Sequence, residues 1–153
     1  MKLLKFTNLT DYEINNECRK IFLNNYIEDA NGNRVVIKTA NNERVIFHEF
    51  NYDHSFSYKN NPYSKKRLFS YQRARRVLWI KEMVTDNNIH AVREDIEQDV
   101  FFYDQKEKYV VILRKLKSGK YFSSCGNFNL QFITHYCIKN EEALKKLEKK
   151  VLA

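Results

Sequence analysis

The spacing of apolar residues near the N-terminus predicts a helix that begins at a capping box. The apolar stripe repeats at helical spacing and consists of Ile14, Cys18, Ile21 and Phe22. Thr10 and Glu13 stand three positions apart at its start, so each side chain can accept a hydrogen bond from the other's backbone amide. The turn signal at residues 31–33 places the end of the helix near Asp29.

Two segments rich in β-branched and aromatic residues predict a hairpin after this helix. They are Val35–Thr39 and Arg44–Phe50, and residues 40–43 between them suit a tight turn because Asn tolerates positive φ. The next stretch, 51–65, has no clear period and is rich in Asn, Ser and Tyr. It is therefore predicted to be a long loop, and such loops often carry function.

Residues 66–85 predict one long helix with apolar side chains on two sides. One broad face consists of Ala74, Val77, Leu78, Ile80 and Val84. The roughly opposite side consists of Leu68, Trp79 and Met83. Such a helix is covered twice, either by a sheet and another segment of the chain or by the core and a partner.

The second half of the chain predicts an antiparallel meander closed by a helix. Strands are expected near His90–Ile96, Val100–Asp104, Tyr109–Lys117, Tyr121–Ser124 and Gln131–Ile138, with a turn at 117–120. Asn140 is the expected N-cap of the last helix, whose buried stripe is Leu144, Leu147 and Val151. The order of elements predicts an α+β fold: a four- to five-stranded antiparallel sheet packed by helices, with an N-terminal helix and hairpin.

Composition narrows the class of protein. The chain of 153 residues is 43% hydrophobic and has only 3 Gly and 1 Pro, which argues against a disordered or collagen-like chain. It has no run of about 18 apolar residues and no signal-peptide core at its start, so a cytoplasmic protein without membrane contact is expected. Its 3 cysteines are too few and too scattered for a disulfide scaffold.

The charge distribution indicates an anionic partner. The net charge is +8, and residues 59–82 hold eight basic residues against one acidic residue. Residues 106–120 hold six basic residues against one. Nucleic acid is the leading partner for such a chain, and a basic surface that only keeps the protein soluble is the alternative.

The four histidines differ in how well each is placed to act as a base or a metal ligand. His54 lies in the polar segment 51–65, where an imidazole could act as an accessible base. His48 is expected to be a packed strand residue, and His90 an exposed loop residue. His135 and Cys137 stand two apart on one strand but lack the second pair of ligands that zinc normally needs. We therefore expect no metal and no cofactor.

The last strand and the arginines offer candidates for holding a phosphate. Phe132, Thr134, Tyr136 and Ile138 should share one face of the strand. The two hydroxyls of Thr134 and Tyr136 could then stabilise the charge developing on a phosphate, although an ordinary strand would have the same pattern.

The arginines need separate placement. Arg75 and Arg76 are adjacent on the predicted helix and about 100° apart, so both cannot face one ligand. Arg114 falls in a central strand, where its charge requires a partner or an anion because burying it unpaired is costly.

Three segments together resemble a known family. They are Asp53–Phe56, Arg73–Lys81 and Phe132–Tyr136. In that order they resemble the phage-encoded branch of the barnase–EndoU–colicin–RelE superfamily of small ribonucleases. The resemblance covers about residues 45–150. It suggests a ribonuclease-like domain at 45–153, with residues 1–44 either part of its core or appended to it.

The resemblance implies an α+β fold and metal-independent cleavage of RNA through a 2′,3′-cyclic phosphate, as in a toxin or phage effector. It implies His54 as the general base or acid, with Thr134 and Tyr136 at the phosphate and Arg75 in the catalytic set. Arg76 would bind substrate, and we add Arg114 and Lys81 to it as substrate-binding candidates.

The alternative is a non-catalytic phage-associated module of the same fold that binds nucleic acid or a protein. The expected partners are RNA, and also an inhibitor or a phage structural protein. The ribonuclease hypothesis requires His54, Thr134, Tyr136 and an arginine to converge in one cleft.

Overall fold

A computed structural model of the chain describes residues 1–86, 91–94, 99–116, 122–123 and 126–151. The predicted fold class is confirmed: the structure is α+β, with a mostly antiparallel sheet and an N-terminal helix. The helices are α1 (Asp11–Phe22), α2 (Asn51–Ser55), α3 (Tyr71–Ala74), α4 (Trp79–Thr85) and α5 (Glu141–Val151). The first five strands are β1 (Ile37–Lys38), β2 (Arg44–Ile46), β3 (Ser57–Tyr58), β4 (Leu68–Phe69) and β5 (Ala91–Glu94). The others are β6 (Asp99–Asp104), β7 (Tyr109–Lys115), β8 (Phe122–Ser123), β9 (Gly126–Asn127) and β10 (Leu130–Cys137).

Six strands form the main sheet, in the order β1-β2-β10-β7-β6-β5. The predicted wholly antiparallel sheet is wrong at one pairing, because β10 runs parallel to β2, with Leu130 opposite Val45. A parallel pair requires a long crossover, and here the chain between β2 and β10 supplies it. The hairpin β1–β2 therefore belongs to the same sheet as the later strands. Two small sheets, β3–β4 and β8–β9, lie outside it.

The N-terminal helix follows the sequence prediction. The Thr10 hydroxyl accepts from the Glu13 amide, and the Glu13 carboxylate accepts from the Thr10 amide at 3.1 Å, so the capping box is confirmed. The helix continues into a π-helical turn over Leu23–Ile27, which contains the buried Tyr26. The Tyr26 hydroxyl donates to the Val77 carbonyl at 2.6 Å and accepts from the Lys81 amide, which ties this turn to the segment around α4.

The predicted loop at 51–65 is wrong in its first half, where α2 and β3 form. Tyr52 and Phe56 are buried, and their rings stack at 4.7 Å between centroids. They stand four positions apart and so meet on one face of a single helical turn. This single pair is the only apolar stripe of the short helix. A helical period needs several repeats to be recognised in a sequence, so the helix could not be predicted.

The predicted single helix at 66–85 is also wrong, because the segment divides into β4, α3 and α4. Leu68 and Phe69 pair with β3, and the Ser70 hydroxyl then accepts from the Arg73 amide at 3.1 Å and caps α3. Of the two predicted apolar sides, Ile80 and Val84 and also Trp79 and Met83 are buried within the chain on α4, whereas Leu68 lies in β4. Trp79 lies edge-on against Tyr109 at 5.2 Å, and its indole N–H donates to the Lys2 carbonyl.

The two faces of the main sheet have separate cores. We call the face that α1, α2 and α4 cover the first face; its core surrounds Phe22, Trp79 and Phe132. The second face carries a smaller core of Phe101, Tyr103 and Val110, against which Leu144 and Leu147 of α5 pack. Asn140 caps α5 as predicted, because its side-chain oxygen accepts from the amides of Glu142 and Ala143.

Some sequence predictions fall on parts of the chain beyond the described ranges. These are His90, the turn at 117–120, the ends of the predicted strands His90–Ile96 and Tyr121–Ser124, and the side chain of Val151.

We expect Phe22→Ala to lower the free energy of unfolding by about 3–5 kcal/mol, because it leaves a cavity at the centre of the first-face core. The Phe22 ring lies within 6.4 Å of five other aromatic rings: Tyr26, Phe47, Tyr52, Phe56 and Phe132. Urea denaturation followed by circular dichroism measures the loss. Tyr12→Ala on the same helix is the control, since Tyr12 is 76% exposed. Equal losses in the two variants would contradict this description of the core.

Candidate nucleic-acid interface

A β-bulge in β10 decides which side chains face which layer. The register against β7 shifts between Phe132 and Thr134. An extra residue reverses the alternation of side chains beyond it. Phe132 and the buried His135 therefore both face the first-face core, whereas Tyr136 packs against the second. The prediction that Phe132 shares a face with Tyr136 and Ile138 is wrong for this reason.

His135 is a buried neutral imidazole. Its Nδ1 is hydrogen bonded to the Tyr109 hydroxyl at 2.7 Å, and within the described chain its Nε2 has no partner. Burial holds its pKa well below the ordinary value, and the charges of Arg73 and Arg76 act in the same direction. In the described ranges, no three His, Cys, Asp or Glu side chains are grouped as metal ligands.

His54 lies exposed on α2, beside a cluster of cations. It lines a cavity of about 490 Å³ together with Arg67 and Phe69. Partial burial lowers the pKa of its imidazole, and the charges of Arg67, Arg73 and Lys59 lower it further. His54 is therefore neutral at pH 7 and able to accept a proton.

Two arginines that the sequence analysis did not select meet next to His54. Arg67 and Arg73 each donate to the Ser57 carbonyl at 2.8 Å. Arg67 also donates to the His54 carbonyl, and Arg73 to the Ser55 carbonyl. Within the described ranges, neither guanidinium has a carboxylate within 4 Å. We call these two side chains the arginine pair.

The arginine pair stands between two cavities. Arg73 lies over the ring of Tyr136 at 5.6 Å, and both line a cavity of about 610 Å³. Arg67 lines the His54 cavity instead, and Phe69 lines both. His54 and Tyr136 therefore belong to different cavities, and Arg73 lies over Tyr136 while its charge also acts on His54.

Arg75 and Arg76 have different surroundings. Arg75 faces the N-terminal segment: its Nε donates to the Leu4 carbonyl at 3.4 Å, and its guanidinium lies over Tyr71. Arg76 lines the Tyr136 cavity, donates to the Gln72 carbonyl at 2.7 Å and lies over the Trp79 ring. Only Arg76 of these two adjacent residues joins the cavity, in agreement with the argument that both cannot face one ligand.

The remaining predicted residues lie apart from His54. Thr134 is opposite Ile112 in the register, on the same side of β10 as Tyr136. The expectation that Arg114 is buried is wrong: its side chain is 45% exposed, so its charge does not require a partner, although its Nε donates to Asp99 on the neighbouring strand at 2.7 Å. Lys81 is exposed on α4. The structure thus brings Tyr136 together with Arg73 and Arg76, but not with His54 or Arg75.

The connection between β3 and β4 extends the basic surface with exposed rings. Lys59, Lys65 and Lys66 are all exposed there. Tyr58 is 40% exposed and Tyr63 is 94% exposed. We call residues 58–66 the basic hairpin tip. Together with the arginine pair, it forms a surface on which cations alternate with aromatic rings.

Comparison with known proteins gives no relative: no protein-family model, no curated protein and no solved structure matches the chain. Among the described residues, every helix is too short or too polar to cross a membrane.

We expect His135→Asn to reduce the loss of stability on acidification. Above about pH 6.5 the imidazole is neutral in both states, whereas below it the unfolded chain binds a proton that the buried imidazole does not. Each pH unit below 6.5 then lowers the free energy of unfolding by up to about 1.4 kcal/mol. Asn retains hydrogen-bonding groups near the position of Nδ1.

The measurement is urea denaturation of both proteins between pH 7 and pH 5. Other titrating groups, including His48 and His54, contribute equally to both proteins and cancel in the difference. Parallel pH profiles would contradict a buried neutral His135.

Proposed function

We propose that the protein binds single-stranded RNA along the arginine pair and the basic hairpin tip. The observation that carries this proposal is that Arg67 and Arg73 share one carbonyl acceptor, and that neither has a carboxylate within 4 Å among the residues that the structure describes. Two like charges held together in this way favour an anion, and arginine forks match phosphate oxygens. The backbone carbonyls hold both guanidiniums in place before a ligand arrives, so little side-chain entropy is lost on binding.

Exposed rings favour a single strand over a duplex. Tyr58 and Tyr63 lie among the lysines of the basic hairpin tip. Unpaired bases can stack on such rings, whereas the bases of a duplex are already stacked on one another. The net charge of +8 would also attract a polyanion over a longer distance.

We expect a triple variant, Lys59→Gln with Lys65→Gln and Lys66→Gln, to weaken binding of single-stranded RNA. The slope of log affinity against log salt should become shallower by about 2, because three phosphate contacts are lost. Fluorescence anisotropy of a labelled oligonucleotide over a salt series measures both quantities.

The matched control carries Lys145→Gln, Lys146→Gln and Lys149→Gln. These three lysines are exposed on α5, so the control loses the same charge from another surface. If both triple variants lose equal affinity, net charge and not this surface binds RNA, and the proposal fails.

A second candidate function is metal-independent cleavage of the bound RNA, but by a different set of residues from the one that the resemblance implies, because His54 and Tyr136 line different cavities and the expected convergence is not met. The observation that favours it is the neutral imidazole of His54 beside the arginine pair. His54 would accept the proton of a ribose 2′-hydroxyl as that oxygen attacks the adjacent phosphorus. The arginine pair would offset the charge of the transition state, and the 5′-oxygen would leave with a proton from water.

We expect RNA cleavage in excess EDTA to slow by about 10²- to 10⁴-fold in His54→Ala, the usual effect of removing a general base. Gel analysis of total RNA and tRNA, with end-group analysis for cyclic phosphate, measures this. His48→Ala is the control histidine variant, since His48 stacks on Phe50 and does not line the His54 cavity. RNA that stays intact yet bound would remove the cleavage proposal and leave the binding proposal.

A further inference from the structure

The larger cavity, which Arg73 and Tyr136 line, is chemically distinct from the open surface beside it. It lies where β10 ends, between α3 and the beginning of α5, and has a volume of about 610 Å³. This volume is within the range of about 300–1,000 Å³ that is usual for small-molecule sites. Rings of Tyr58, Phe69, Tyr71 and Tyr136 contribute to its walls.

The charged groups of the cavity all have the same sign. Arg73, Arg76 and Lys139 line it, and no Asp or Glu of the described ranges does. Arg73 uses its Nη1 for two backbone carbonyls, and its Nε and Nη2 have no acceptor in the described chain. Arg76 uses its Nη1 for Gln72 and also interacts with the Cys137 thiol, and its buried Nε has no partner in the described part of the chain. A guanidinium with unused donors in a partly dry site is stabilised by an anion.

We propose that this cavity binds one nucleoside monophosphate unit, with its phosphate at Arg73 and Arg76 and its base against the surrounding tyrosine and phenylalanine rings. Neither half of this ligand alone satisfies the site. A bare phosphate leaves the aromatic walls unused, and a nucleoside leaves the cations without an anion. A nucleotide engages both the aromatic walls and the cations, because its base stacks on the rings while its phosphate accepts charged hydrogen bonds from the arginines.

The source of the nucleotide follows from the position of Arg73. This residue lines the cavity and also belongs to the arginine pair. Taking RNA as the source rests on the proposed function: a strand that follows the arginine pair would place its phosphorylated terminal nucleotide in the cavity. A free nucleotide presents the same chemistry, so the experiment has to separate these two sources.

The first test is calorimetric titration of the full chain with AMP and UMP, and with adenosine and inorganic phosphate separately. We expect the monophosphates to bind roughly tenfold or more tightly than either part. Equal affinity for AMP and inorganic phosphate would overturn the proposal, since the rings would then contribute nothing.

Two variants locate the binding site. Ala143→Trp places a bulky ring at the exposed start of α5, where residue 143 lines the cavity, and should abolish AMP binding without removing a charge. Its control is Glu141→Trp, about 200° round the same helix.

Arg76→Gln should weaken AMP binding roughly tenfold or more, and Lys38→Gln, an exposed residue of β1, should not. AMP binding that survives Ala143→Trp would overturn the proposal.

A competition assay separates the two sources and the two proposals. Labelled RNA with a 5′- or 3′-phosphate is compared with RNA that has hydroxyl ends, before and after addition of AMP. Displacement of the phosphorylated RNA alone supports the terminal nucleotide of RNA as the ligand. AMP binding without any RNA binding supports the cavity with a free nucleotide and refutes the proposed function. RNA binding without AMP binding refutes the cavity and leaves the proposed function standing.

Discussion

The bulge in β10 is the constraint on which the rest of the interface depends. Regular alternation from Phe132 would place Tyr136 in the first-face core and His135 on the second face. The extra residue reverses this, so His135 lies against Phe56 at 4.7 Å and helps to seat α2 on the sheet. Beyond the bulge, the Tyr136 ring packs against the second-face core and lies under the Arg73 guanidinium at 5.6 Å. One inserted residue thereby decides which face of the sheet His135 and Tyr136 occupy.

The arginine pair couples folding to recognition. In the described part of the chain, the guanidiniums of Arg67 and Arg73 form no ion pair with a carboxylate. They donate instead to backbone carbonyls at the end of α2 and in β3. Burial and the charge of Arg67 lower the pKa of Arg73, as expected where two like charges are held close together. The backbone bonds offset that repulsion, and this is how a basic site can be rigid before binding.

Local signals in the sequence predicted the parts of the fold that local chemistry determines. The Thr10 capping box, the Asn140 cap and the hairpin β1–β2 are of this kind. The strand β4 was not predictable, because its pairing with β3 outweighs the helical pattern of its own segment. The bulge was equally hidden, since it appears only in the register between β10 and β7.

The site residues also fall into those that the sequence indicated and those that only the fold brings together. Residue type together with the family resemblance selected His54, Tyr136 and Arg76, which all line cavities. The sequence did not indicate the arginine pair. Arg67 and Arg73 meet at the backbone carbonyl of Ser57, and because every residue has such a carbonyl, only the fold shows which one they share. The predicted need of Arg114 for a partner rested on burial that the structure does not show, and the pairing with Asp99 comes from strand register.

The parallel pairing of β2 with β10 has a consequence for biosynthesis. The Arg44 amide donates to the Asn129 side chain, a partner that lies 85 positions later in the chain. While the ribosome makes those positions, the hairpin β1–β2 has an open strand edge and no neighbour to cover it. The nascent chain therefore cannot complete the main sheet before β10 has been synthesised and has paired with β2.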